Sequence, residues 1–248
     1  GDIVEVRLDT TPLLNGFFGD LSTVFGRLRG FEQMLWDMVD NPEWLHQVMA
    51  FMRDGVLRVQ QQAEDAGHYT LLSSENQSMP YLEGLEPVNA HRRPVKRSEI
   101  WGFMAAQEFA GVSPQMHEEF LLQYQMPIME KFGAIAYGCC EDYTYKIDML
   151  RKIKNLRRIA VSPFANTEKC AEQIGRDYIV SWRPSPSAMV SSQFDPAYIK
   201  KHVTENIKIF QKYNCRFDIC LKDIETIQNE PRRIVEFSRI VRELTETL

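Results

Sequence analysis

Apolar side chains recur at helical spacing over residues 31–39 and again over 42–67, where Trp44, Leu45, Val48, Met49, Phe51, Met52, Val56, Leu57 and Val59 carry the pattern. Asn41-Pro42 supplies a helix start and Gly67 a stop. A short β-rich run at 68–73 follows and opens into the polar loop Ser74-Glu75-Asn76-Gln77-Ser78. The alternation then repeats. The pattern predicts a helix over 113–131 ending at Gly133, a buried strand over 134–139 and a helix over 143–154. It continues with a strand over 158–162, a helix over 167–174 capped by Thr167, and a strand over 178–182. Helix, strand and helix over 196–213, 216–221 and 230–247 complete it. Near the other end, residues 2–8 alternate acidic and apolar side chains as a strand does, and a loop leads from there to the first helix.

Strands separated by helices, most of them near-continuous apolar runs, argue for an α/β fold with a parallel sheet, in which sites form at the C-terminal strand ends. The residues expected there are Glu75 and Asn76, Cys139 to Glu141, Ser162, Ser181 with Arg183, and Cys220 with Lys222 and Asp223.

The length of 248 residues suits one domain over 1–248. A net charge of -5, with 29 basic and 34 acidic residues spread along the chain, gives no field to hold a polyanion, so nucleic acid is not an expected partner. No apolar run reaches the roughly 18 residues a spanning helix needs, and the first residues lack a secretory pattern, which predicts a cytoplasmic protein with no membrane partner. Five cysteines, an odd number in a chain of this size, read as reduced thiols and not as a disulfide framework.

Strand alternation would put Tyr137, Cys139 and Glu141 on one face and Gly138 and Cys140 on the other. Cys220 also sits at a strand end, and a parallel sheet can bring such ends to one rim. Two thiolates with an oxygen or nitrogen donor and one open position make up a catalytic zinc site. Glu141 is the expected third donor, with Tyr137, Glu75 and His91 as alternatives. Core packing is the competing reading of these thiols, and Cys140, Cys170 and Cys215 are assigned to it.

The run Trp101-Gly102-Phe103-Met104-Ala105-Ala106-Gln107, followed by Gly111-Val112-Ser113-Pro114-Gln115-Met116 and Glu119-Phe120, resembles the uroporphyrinogen decarboxylase-like superfamily. The segment Asp37-Met38-Val39-Asp40-Asn41-Pro42-Glu43 and the Ala66-Gly67 entry to the next strand extend the likeness over nearly the whole chain. It implies a (β/α)8 barrel of TIM type. About five core strands are read after residue 60, so a barrel incomplete at its N-terminus is expected. In the zinc-dependent, corrinoid-linked methyltransferase branch a strand ends in His-x-Cys and a distant cysteine near the last strand completes the ligands. Tyr137-Gly138-Cys139 and Cys220 match both cysteines, and tyrosine stands where the histidine would be.

The resemblance therefore implies methyl transfer between a small methylated compound and a corrinoid protein partner, with zinc as Lewis acid. Cys139, Cys220 and Glu141 would bind the metal, Tyr137 and Glu141 would act at the reacting centre, and Glu75, Asn76 and Arg183 would line the substrate pocket. The alternatives are a metal-independent decarboxylase of a porphyrinogen-like tetrapyrrole and a non-catalytic corrinoid- or tetrapyrrole-binding barrel.

Overall fold

The computed structural model of the protein describes residues 8–71, 79–80, 82–85 and 93–246. Most of the expected strand at 2–8, the loop at 74–78 with Glu75 and Asn76, and His91 lie outside the described residues. The chain divides into two compact units, Gly1–Glu141 with Asp148–Arg157, and Asp142–Ile147 with Arg158–Leu248.

The first unit begins with three helices, α1 (Ser22–Arg29), α2 (Phe31–Asp40) and α3 (Pro42–Asp65). Pro42 opens α3, where its missing N–H has no intrahelical partner to lose. Leu45, Met49, Val56 and Ala63 are buried on one side of α3, while Phe51, equally apolar in pattern, is 78% exposed. Strand β1 (Trp101–Met104) follows, then a helix in three parts: α4 (Pro114–His117), a π-helical turn (Glu118–Leu122) and α5 (Gln123–Met129). Helix α5 packs against α3. Strand β2 (Ala134–Tyr137) runs parallel to β1, Trp101 opposite Ala134 and Met104 opposite Tyr137. A Cβ on Gly102 would lie 2.5 Å from the Phe132 ring, so the strand and the preceding turn meet only because that side chain is absent.

Between the strands of the two units comes a short helix, α6 (Ile147–Leu150), and then β3 (Leu156–Val161). The second unit continues with α7 (Thr167–Ile174), β4 (Ile179–Trp182), α8 (Ser187–Val190), α9 (Pro196–Lys212), β5 (Arg216–Ile219) and α10 (Arg232–Thr245). Its strands are parallel, with Arg158 opposite Ile179 and Ser181 opposite Asp218. Helix α9 packs on α7 and α10. Arg158 on β3 grips Asp218 on β5 through Nε and Nη2, both at 2.7 Å, and Ser181 Oγ donates to the same carboxylate at 3.2 Å. This two-toothed ion pair ties β3 to β5 across β4, a geometry only arginine supplies.

The protein is thus a mixed α/β fold built on parallel strands with helices around them. Five strands lie among the described residues, against the eight of the implied barrel. Their identity also differs from expectation. Residues 68–71 of the expected strand form none, whereas Trp101–Met104, prominent in the sequence only as a motif, is β1.

The expected helix over 143–154 shrinks to α6, because its first residues bond elsewhere. Asp142 Oδ1 accepts from the N–H and hydroxyl of Thr144, whose own Oγ1 and carbonyl accept from Asn166 N–H and Gln173 Nε2 of the second unit. The cap of α7 is Asn166, which accepts from Lys169 N–H at 3.0 Å, and not Thr167. No helix among the described residues is long and apolar enough to cross a membrane.

Candidate functional site

The C-terminal ends of β1 and β2 in the first unit gather a buried polar cluster. Strand β2 stops at Tyr137 because Gly138 takes φ 101°, a left-handed conformation that turns the chain out of the strand. Gly138 N–H still donates to Met104 O at 2.8 Å, which anchors the turn to β1. Regular alternation therefore ends before Cys139, and the positions of Cys139 and Glu141 are set by the turn and not by the strand. Two vicinal thiols that a strand would have sent to opposite faces come together instead, with Cys139 Sγ 3.7 Å from Cys140 Sγ. Cys139 is buried and Cys140 partly exposed.

Glu141 is 2% exposed and spans the gap between the strand ends. Its Oε1 accepts from Ala106 N–H and its Oε2 from Cys139 N–H, both at 2.5 Å. Such short charge-assisted bonds make it the clasp that holds the cysteine turn against the end of β1. Tyr137, 1% exposed, donates its hydroxyl hydrogen to Gln125 Oε1 at 2.6 Å. The hydroxyl has one hydrogen, so it accepts from His117 Nε2 at 3.1 Å, which places a hydrogen on that nitrogen. Gln125 then spends its two amide hydrogens on Asp20 O at 2.7 Å and Ala105 O at 2.8 Å. The π turn makes this possible. One inserted residue lets His117 and Gln125, eight positions apart, face the same side as about seven-apart residues do in a regular helix.

Asp20 is the chemically unusual member. It is fully buried, ahead of α1, where Leu21 adopts φ 70°. A branched, buried side chain in that region marks backbone strain. Asp20 Oδ1 accepts from Thr23 N–H and its Oδ2 lies 2.9 Å from Thr23 Oγ1. Burial, with the charges of Glu108 and Glu141 added, pushes the carboxyl up to about 8 against the pull of the Thr23 bonds. In its protonated state it donates to Thr23 Oγ1, which turns its hydrogen to Glu108 Oε2 at 3.4 Å, an oxygen that also accepts from Ser22 Oγ at 2.7 Å. Tyr137 is likewise held well above the ordinary tyrosine range, by burial first and by Glu141 and Asp20 second.

Of the expected site residues, Tyr137, Cys139, Cys140 and Glu141 come together at the end of β2 in the first unit. Arg183 and Cys220 belong to the second unit, each directly after a strand: Arg183 is buried and its N–H donates to Val161 O, and Cys220 N–H donates to Trp182 O. Glu75 and Asn76 lie outside the described residues. Cys170 is buried and its thiol is pushed up to about 12 by that burial.

Sequence reading missed Asp20, Gln125 and the polar role of His117. A signal for Asp20 existed: an aspartate three residues before Thr23, ahead of Val24, Phe25 and Leu28, is a helix-start pattern.

Among the described residues no three His, Cys, Asp or Glu side chains are grouped to hold a metal ion. The sulfur pair fits part of such a site, since two thiolates on one tetrahedral ion at about 2.3 Å stand roughly 3.8 Å apart. Glu141 fits less well, because both its oxygens already hold backbone N–H groups. Comparison with protein-family models, curated proteins and solved structures gave no match.

Proposed function

We propose that the chain is a corrinoid-dependent methyltransferase of (β/α)8 barrel type, cytoplasmic, moving a methyl group between a small methylated compound such as an aryl methyl ether and the cobalt of a corrinoid protein. The observation that carries this reading is the thiol turn after β2, where Cys139 is held at the C-terminal end of a parallel strand, the end at which α/β folds keep their ligands. The motif Trp101 to Gln107, which the reading also draws on, forms β1 and the segment Glu141 clasps.

Zinc on thiolates would supply a Lewis acid that makes the oxygen or sulfur losing the methyl group a better leaving group. Cys139 is the proposed ligand of the first unit. Glu141 acts on this reading as a positioning residue: its bonds to Ala106 and Cys139 fix where the thiol sits. Arg183 would pair with a substrate carboxylate.

The test mixes purified chain with cob(I)alamin and a panel of O-, S- and N-methyl donors and follows methylcobalamin by its spectrum. Transfer that falls at least about 100-fold in Cys139→Ser, in a protein with zinc bound, supports the reading. Folded, zinc-loaded protein that methylates cobalamin from no donor sinks it.

A second reading, a metal-independent decarboxylase of a porphyrinogen-like tetrapyrrole, rests on Asp20. A carboxyl that keeps its proton to about pH 8 can supply the hydrogen that replaces carbon dioxide. Release of carbon dioxide by metal-stripped protein, lost in Asp20→Asn, would favour it.

A further inference from the structure

The expected metal pair joins Cys139 to Cys220, and Cys140 has no part in it. We propose instead that Cys139 and Cys140 form a two-sulfur chelate for a soft, thiophilic divalent cation, with its remaining coordination positions open to ligand or substrate. The inference rests on the reading of Cys139 as a metal-binding thiol and changes its partner.

Three features of the turn carry it. The first is span: the sulfurs stand 3.7 Å apart, close to the roughly 3.8 Å that two thiolates need on one tetrahedral ion, so an ion can enter with almost no movement of either. A disulfide would require the same atoms to close to about 2.05 Å within the small ring of adjacent residues. The second is that the proximity is built. Side chains of neighbouring strand residues diverge, and here the chain has left the strand at Gly138, with φ 101°, before either cysteine, so the two thiols lie together in a turn. The third is that the turn is clamped from both directions, by Gly138 N–H on Met104 O and by Glu141 between Cys139 N–H and Ala106 N–H. Holding donors on rigid elements through surrounding hydrogen bonds is what makes a metal site precise. Cys140 is partly exposed and gives the ion its way in, while Cys139 is buried behind it.

Cadmium is the probe, read by its ultraviolet thiolate-to-metal charge-transfer absorption during titration of the whole chain. The expected result is one cadmium per chain, with affinity falling at least about 100-fold in both Cys139→Ser and Cys140→Ser and unchanged in Cys220→Ser. Gly138→Ala keeps both thiols, strains the turn and is expected to weaken binding at least about 10-fold, with far-ultraviolet circular dichroism checking the fold. If Cys220→Ser abolishes the absorption and Cys140→Ser leaves it intact, the inference is overturned while Cys139 stands as a zinc ligand. If the wild type shows no thiolate absorption, or the Cys139→Ser, Cys140→Ser double variant keeps it, the inference fails. The cobalamin assay on the same preparation then decides methyl transfer separately.

Discussion

Asp20 and Asp37 are both fully buried aspartates of the first unit, yet their surroundings drive them to opposite states. Asp37, on α2, receives Arg29 Nε at 2.7 Å and Nη2 at 3.0 Å, with Gln33 and Asn41 amides at 3.1 and 3.3 Å. The guanidinium, first among these, holds its carboxyl below the ordinary range and keeps it charged. Asp20 has Thr23 for its donors and the carboxylates of Glu108 and Glu141 as charged neighbours, and burial leaves it protonated to about pH 8. One carboxylate is structural: it joins the end of α1 to α2 and the approach to α3. The other holds a proton beside a strained backbone at the strand ends, where chemistry is expected. Zero exposure alone does not say which role a carboxyl takes. Depth of burial and the reach of a cation decide it together: Asp20 lies deep, whereas Asp37 is covered near the surface by the partly exposed Arg29.

The largest effect expected from this contrast is in the pH dependence of stability. A carboxyl whose folded value lies above its unfolded 3.8 contributes stability that is complete below that value and lost as pH rises to about 8. At about 1.4 kcal/mol per pH unit the loss sums to roughly 6 kcal/mol. Urea midpoints across pH 4 to 8 should therefore decline in the wild type and stay nearly level in Asp20→Asn, which should be the more stable protein at pH 8. Parallel slopes in the two would break the comparison.

Asp37 has the opposite sign: its contribution is complete above the unfolded carboxylate value and disappears as pH falls. Asp37→Ala should cost about 3 kcal/mol at neutral pH, the low end for a buried pair, because the Arg29 side chain is 38% exposed and regains water. Its acid limb should flatten as well. A loss confined to alkaline pH would contradict the assignment.

A smaller effect is expected from Thr23→Val, which preserves shape and the N–H bond to Asp20 and removes the hydroxyl between Asp20 and Glu108. The cost should be about 1 to 2 kcal/mol, and the Asp20 titration, followed by carboxyl NMR, should move upward. Gln33→Ala should be the mildest, below about 1 kcal/mol, since it removes one of several donors to Asp37 from an exposed side chain. A cost equal to that of Asp37→Ala would mean that the arginine is not what keeps Asp37 charged.

Local pattern by itself determined much of the architecture: α2, α3, α9 and α10, the strands from β2 onward, and the order that makes them parallel. These elements are long enough, or apolar enough, for periodicity to speak. It left β1 unread, because Trp101-Gly102-Phe103-Met104 is four residues with a glycine inside, too short for alternation to be seen. It could not separate Leu45 from Phe51, since both are apolar on one helix and only the neighbouring helices decide which is covered.

At the site, sequence reached Tyr137, Cys139 and Glu141 as a cluster, while tertiary structure decided what each does. The chain leaves the strand at Gly138, Cys139 and Cys140 meet in the turn that follows, and Glu141 turns to the backbone of β1's end. Asp20 keeps its proton because folding buries it first of all and, second, brings the carboxylates of Glu108 and Glu141 near it. The physical reason is range. Periodicity and turn chemistry act over a few residues, whereas desolvation, charge and sulfur spacing depend on groups that folding gathers from distant parts of the chain.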